Sequence, residues 1–105
     1  MAAWSDAELG RLAAVEQVTE MATGDGMASW RYRLPAAAKA TGPDPGNGGG
    51  QFWLVLAGQA SCAGSAPLPV ESCVFVGPED AALSVAAGPA GAELLCVQFP
   101  LLARH

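Results

Sequence analysis

The chain contains a single histidine, and it is the last residue, His105. The side chain most used as a neutral-pH acid or base, and as a metal ligand, is therefore missing from the body of the sequence. Cations are scarce as well: five in total, Arg11, Arg31, Arg33, Lys39 and Arg104, spread along the length against ten acids, for a net charge of −5. Phosphate backbones and anionic lipid surfaces are bound by clustered Lys and Arg, so neither nucleic acid nor membrane is an expected partner. No apolar run approaches the ~20 residues of a membrane span. The N-terminal stretch carries Asp6 and Glu8 instead of the basic region and continuous apolar segment of a signal peptide, so a cytoplasmic location is expected. Three cysteines, Cys62, Cys73 and Cys96, form no CxxC and no close pair. All three read as reduced thiols behaving as small buried hydrophobes, Cys73 and Cys96 inside apolar runs; a reactive nucleophile is the alternative for Cys62, in a loop, with no base near it in sequence.

What remains is a chain of 105 residues, long enough for one domain with a single core and no need of a disulfide or structural metal. Hydrophobic residues make up 51%, but much of that is alanine and aromatics are only 7%, so the large anchors are few: Trp30, Tyr32, Phe52, Trp53, Phe75 and Phe99. Ser5 followed by Glu8 makes a capping box, and Leu9, Leu12, Ala13 and Glu16 share neighbouring helical positions, which predicts a helix over 5–17. TGDG at 23–26 reads as a turn. The division expected from this is an N-terminal helix and turn over 1–26, then one β-domain over 27–105.

In MASWRYRL, Ala28, Trp30, Tyr32 and Leu34 alternate with Ser29, Arg31 and Arg33, the pattern of a half-buried strand whose arginines face water or a polar cavity. Residues 35–50 hold three prolines and five glycines without periodicity and read as a loop. The glycines are not a phosphate cradle, because no Lys-Ser/Thr pair and no helix follows them. QFWLVLA, SCVFVG, ALSVAA and AELLCVQF then give four short β-type runs separated by Gly, Pro, Ser or acidic residues, with ALSVAA ending at Gly88 and Pro89. QFWLVLA is apolar on both faces, so the sheet should be covered on each side or closed on itself. The fold class is all-β: an antiparallel barrel or jelly roll with a short N-terminal helix.

At FWLVLAG, CVFVGPED and ELLCVQFP the chain resembles the cupin superfamily, over residues 27–100, which implies a double-stranded β-helix. Metal-binding cupins carry two His separated by one residue, a Glu three or four residues on and a Gly after six more. Placing that Gly on Gly58 puts Gln51 at the Glu position, and the His positions on Pro45 and Asn47, or on Asp44 and Gly46. With Gly77, Pro78 and Glu79 on the second motif's turn, the third His position falls on Ala82, or on Leu83 after a shift of one. These side chains cannot replace imidazoles and a carboxylate around a transition ion, so no metal and no cofactor is expected. The resemblance also implies that Gln51, Trp53 and Val55 point into the barrel.

Three functions compete on these residues. One is a metal-independent binding or regulatory module, homodimeric through edge-strand pairing or the N-terminal helix, holding a small polar or anionic ligand near Gln51, Trp53, Arg31 and Arg33. Another is a metal-independent isomerase, epimerase or lyase on a sugar or small acid, with Glu71, Glu79, Asp80, Tyr32 or a Cys as the only acid–base candidates and no catalytic set identified. The third is a structural interaction module.

Overall fold

A computed structural model describes residues 15–23, 26–62 and 67–100. Six strands are present among them: β1 (Glu16–Ala22), β2 (Ala28–Leu34), β3 (Lys39–Thr41), β4 (Gln51–Cys62), β5 (Cys73–Val76) and β6 (Ser84–Gln98). Every pairing is antiparallel and all six belong to one sheet, in the order β1-β2-β6-β4-β5 with β3 also on β6. The all-β antiparallel jelly-roll expectation holds. No helix among the described residues is long and apolar enough to cross a membrane.

β6 is the strand on which the others assemble. Its C-terminal half lies between β2, from Ala28 opposite Gln98 to Leu34 opposite Ala92, and the first half of β4. Its N-terminal half lies between β3, with Ala40 opposite Val85, and the end of β4, with Cys62 opposite Val85. The two halves were expected as separate strands divided by Gly88 and Pro89, and here they are one. The ladder to β4 runs through Val85, Ala86 and Ala87 and resumes at Ala92, and the intervening GPAG segment bends without ending the strand. Gly and Pro remove side-chain bulk and a donor from the ladder, which permits a sharp bend when the pairing continues on both sides. On β4 the matching bend is at Gly58, at φ 71°, where the register shifts. A Cβ at Gly58 would overlap the carbonyl oxygen of Gly91.

Alternation then sorts the sheet into two faces. The inner face carries Tyr32 and Leu34 of β2, Trp53, Val55 and Ala60 of β4, Val76 of β5, and Val85, Ala87, Ala92, Leu94 and Cys96 of β6, all buried. Tyr32 and Trp53 stack at 5.0 Å between ring centres, tilted by 37°. The outer face, read from residues opposite one another, carries Phe75 and Cys73, then Phe52 and Leu54, then Val97, Leu95 and Glu93, then Arg31 and Arg33.

Several expectations need correction. Residues 5–14 of the expected helix lie outside the described residues, but its end does not: Glu16 and Gln17 belong to β1, paired with Arg33 and Tyr32. β2 needs a partner on that edge, and Val18 and Thr19 suit a strand. The sheet thus begins at Glu16, not at residue 27. The 35–50 loop contains β3 and a 3₁₀ turn at Pro45–Asn47, and its last glycines pair with the chain end, Gly49 N–H with the Phe99 carbonyl at 2.9 Å and Phe99 N–H with the Gly50 carbonyl at 3.0 Å. β5 is an edge strand, not a buried one: Cys73 is exposed and Phe75 is 56% exposed. Cys96 is buried as expected, while Cys62 is half-buried at the end of β4 and not in a loop.

Gly42 lies so close to Trp53 that a Cβ would overlap the six-membered ring of the indole. Gly42→Val should therefore lower stability by about 1–3 kcal/mol through overpacking. Chemical denaturation with tryptophan fluorescence measures it, and an unchanged midpoint would show that the loop moves away at no cost.

Candidate functional site

The inner face is apolar except at one end, where Gln51 and Gln98 stand opposite each other across β4 and β6. Both amides are buried, at 0% and 3% exposure. The Trp53 indole N–H, which can only donate, lies 3.0 Å from Gln51 Oε1, and this orients the Gln51 amide. Gln51 Nε2 then donates to the Pro43 carbonyl at 3.0 Å and to Gln98 Oε1 at 3.0 Å. Gln98 Nε2 donates in turn to the Gly26 carbonyl at 2.7 Å. Both donors of Gln51 are spent, and so is the indole N–H.

Arg31 and Arg33 are elsewhere. They alternate with Trp30, Tyr32 and Leu34 on β2 and so lie on the outer face, where Glu93 of β6, itself 0% exposed, sits between them. Glu93 Oε2 accepts from Arg33 Nε at 3.0 Å and is 3.5 Å from Arg31 Nη1. β1 contributes the rest: Glu16 is 3.5 Å from Arg33 Nη1 and Glu20 is 3.0 Å from Arg31 Nε. The Arg31 Nε contact lies off the N–H direction, so it is an ion pair and not a hydrogen bond. Of the four residues expected to share a ligand, the fold unites Gln51 with Trp53 and Arg31 with Arg33, on opposite faces of one sheet. The cations that were to attract an anion are already held by three carboxylates.

Glu93 and Gln98 were not singled out from the sequence, although each carried a signal. Glu93 is a charge in register with Leu95 and Val97, and Gln98 is an amide in register with Leu94 and Cys96. A polar side chain inside an apolar alternation has to find a partner on a neighbouring strand.

The acid–base candidates do not converge. Glu71, Glu79 and Asp80 are all exposed in turns, and the Asp80 carboxylate accepts from Gly77 N–H at 2.7 Å. On the inner face, burial pushes the Tyr32 hydroxyl up to about 12, helped by the charge on Cys96 and opposed by the hydrogen bond from Gln17 Nε2 at 2.6 Å. Burial likewise pushes the Cys96 thiol up to about 12 and raises Cys62. Tyr32 and Cys96 therefore stay protonated at neutral pH, and neither serves as a base. A depression of about 530 Å³ at the bend is lined, among the described residues, by Gly58, Gln59, Pro69, Val70, Pro89 and Ala90, none of them ionisable.

The positions to which the resemblance assigns metal ligands do not fit such an ion. Pro45 is buried in the 3₁₀ turn, Asn47 is exposed, Asp44 caps that turn by accepting from Gly46 N–H at 2.8 Å, and Ala82 and Leu83 carry no donor atom. Among the described residues no three His, Cys, Asp or Glu side chains form a group that could hold a metal ion.

No family model matches the chain, and no curated protein does. Among solved structures it is similar to a protein of unknown function from Rhizobium leguminosarum bv. viciae 3841, at 18% identity and TM-score 0.61 over 90% of each chain. A putative ethanolamine utilization protein Q (EutQ) from Salmonella typhimurium LT2 matches at 16% identity and TM-score 0.54, over 90% of this chain and 76% of that one. DMSP lyase DddQ from Ruegeria pomeroyi DSS-3 matches at 16% identity and TM-score 0.57, over 90% of this chain and 54% of the enzyme. At such identities the likeness concerns the fold, which is cupin-like.

Two measurements follow from this geometry. Glu93→Ala leaves Arg31 buried without its inner carboxylate and should cost about 3–5 kcal/mol, whereas Glu16→Ala, at the exposed rim, should cost about 0–1 kcal/mol. Equal losses in urea titrations would refute the asymmetry. Tyr32 and Cys96 hold their protons more tightly folded than unfolded, so the folded state is the more protonated between about pH 9 and 12. The contribution of these two groups to stability should be level below about pH 9 and fall as pH rises through that window. Cys96→Ala should flatten the fall, and ultraviolet titration of the single tyrosine should show ionisation near pH 12 instead of 10.

Proposed function

We propose that the chain is a metal-independent cupin-like module that acts by binding and not by catalysis, and that its first partner is a second copy of itself. The observation that carries this reading is the aromatic cluster on the outer face. Phe52 packs edge-on against Phe75 at 5.3 Å and against Phe99 at 5.4 Å, yet Phe52 and Phe75 remain 41% and 56% exposed. Val70, 47% exposed, lies in the turn leading to β5. On rings of roughly 200 Å² this leaves on the order of 200 Å² of aromatic surface in water.

A stable interface covers roughly 800 Å² per partner, so the rings alone are too small. β5 would add to them, because among the described residues it ends the pairing order and carries no charge, so that the edge of CVFV lies beside the rings with no further strand on it. Two copies related by a two-fold axis perpendicular to the sheet at β5 would pair the two β5 strands antiparallel, continue the sheet and bring their phenyl clusters together. The opposite edge is unsuited to the same use. Antiparallel pairing of β1 with itself about Val18 would set Glu16 opposite Glu20 of the other copy, and like charges facing each other repel.

The enzymatic alternative draws on the likeness to DMSP lyase DddQ. Lyase chemistry needs an acid–base group at the reacting carbon. The inner face here offers Tyr32 and Cys96, both protonated at neutral pH. A small ligand touching Gln51, Trp53, Arg31 and Arg33 at once would have to occupy both faces of the sheet, which is why binding is assigned to the outer surface.

Light scattering coupled to size-exclusion chromatography should give twice the chain mass for the full-length protein. Phe75→Glu should give the single mass with an unchanged circular dichroism spectrum. A monomer at every concentration would refute self-association, and a dimer that survives Phe75→Glu would refute this surface.

A further inference from the structure

We infer that the barrel is held shut by an amide clasp at the place where the resemblance puts a metal centre, so that its stability takes no contribution from a transition ion. An ion in such a barrel ties together side chains from separate strands. Here hydrogen bonds make that tie. Gln51 and Trp53 come from β4, Gln98 from β6, the Pro43 carbonyl from the segment before the 3₁₀ turn, and the Gly26 carbonyl from the connection between β1 and β2. Four stretches meet through two side-chain amides, with 72 residues separating Gly26 from Gln98.

The chemistry of the donor set is specific on this point. An amide is both donor and acceptor, so it can bridge a carbonyl, an indole N–H and a second amide at once, which a carboxylate cannot do. Replacing Gln51 by a carboxylate would set an acceptor against the Pro43 carbonyl and against Gln98 Oε1. Conversely, Gln51 points its oxygen at the Trp53 N–H and its nitrogen at the other partners, so it presents N–H groups where an ion would require lone pairs. The clasp is complete without an ion, and an ion could enter only by breaking it. This inference does not depend on how the outer face is used.

The test uses full-length protein purified without chelator or metal-affinity resin. Elemental analysis should find Mn, Fe, Co, Ni, Cu and Zn well below one equivalent per chain, and the melting temperature should be the same as prepared, after EDTA, and after addition of Mn(II) or Zn(II). Gln51→Met and Gln98→Met should each lower it by roughly 5–10 °C. The double variant should fall by less than the sum, because both substitutions break the shared amide–amide bond. Metal near one equivalent whose removal lowers the melting temperature would overturn the inference, as would single variants that melt with the parent. The elemental and EDTA measurements need no variant, so they decide the matter even where a substituted chain does not fold.

Discussion

A buried strand must satisfy its backbone on both edges, and β6, fifteen residues long, does so with three partners. No single neighbour spans it on each side. β4 runs along one edge for the full length, while β2 and β3 share the other edge half each. Because the two halves diverge at the GPAG bend, the strands paired to them diverge as well, and the inner faces of the halves turn toward a common core. The barrel-like shape thus follows from a long strand with a glycine- and proline-rich middle and partners on either side of it.

That arrangement also decides where polar groups go. The C-terminal half of β6 presents Leu94, Cys96 and Gln98 inward and Glu93, Leu95 and Val97 outward, and each polar member meets its match across the sheet. Gln98 finds Gln51, and Glu93 finds Arg31 and Arg33. The ion cluster is costly to desolvate, and its net value against an apolar alternative is small. Its effect is on register, since sliding β2 by one residue against β6 would turn both arginines into the core. The amide cluster does the same for β4 against β6. Two polar locks on opposite faces hold the central strands in a single alignment.

The outer face divides into an ionic half over β1 and β2 and an aromatic half over β4 and β5. In the ionic half β1 brings Glu16 and Glu20 to the arginines, with Val18 and Met21 exposed beside them. In the aromatic half Phe52 and Phe75 are exposed next to β5, which ends the pairing order among the described residues. Among the described residues, burial keeps Tyr32 and Cys96 of the inner face protonated at neutral pH, while the outer face exposes Phe52 and Phe75.

Alternation in ASWRYRL and QFWLVLA, and the turn residues between the later runs, were enough to indicate strands there and the all-β class, because these depend on neighbours in sequence and on a period of two. The inward direction of Gln51, Trp53 and Val55 came from the resemblance, since QFWLVLA is apolar on both faces. The absence of internal histidine was equally legible, being a matter of inventory. Whether GPAG would end a strand or bend one, whether Val18 and Thr19 would be strand, and where Arg31 and Arg33 would find their counter-charge could not be read locally. Each answer lies with a partner distant in the chain: β4 for the bend, β2 for β1, and Glu93 for the arginines. Pairing between strands is a long-range choice among alternatives of similar local energy, and only the folded sheet, which must satisfy every buried donor, acceptor and charge together, selects one of them.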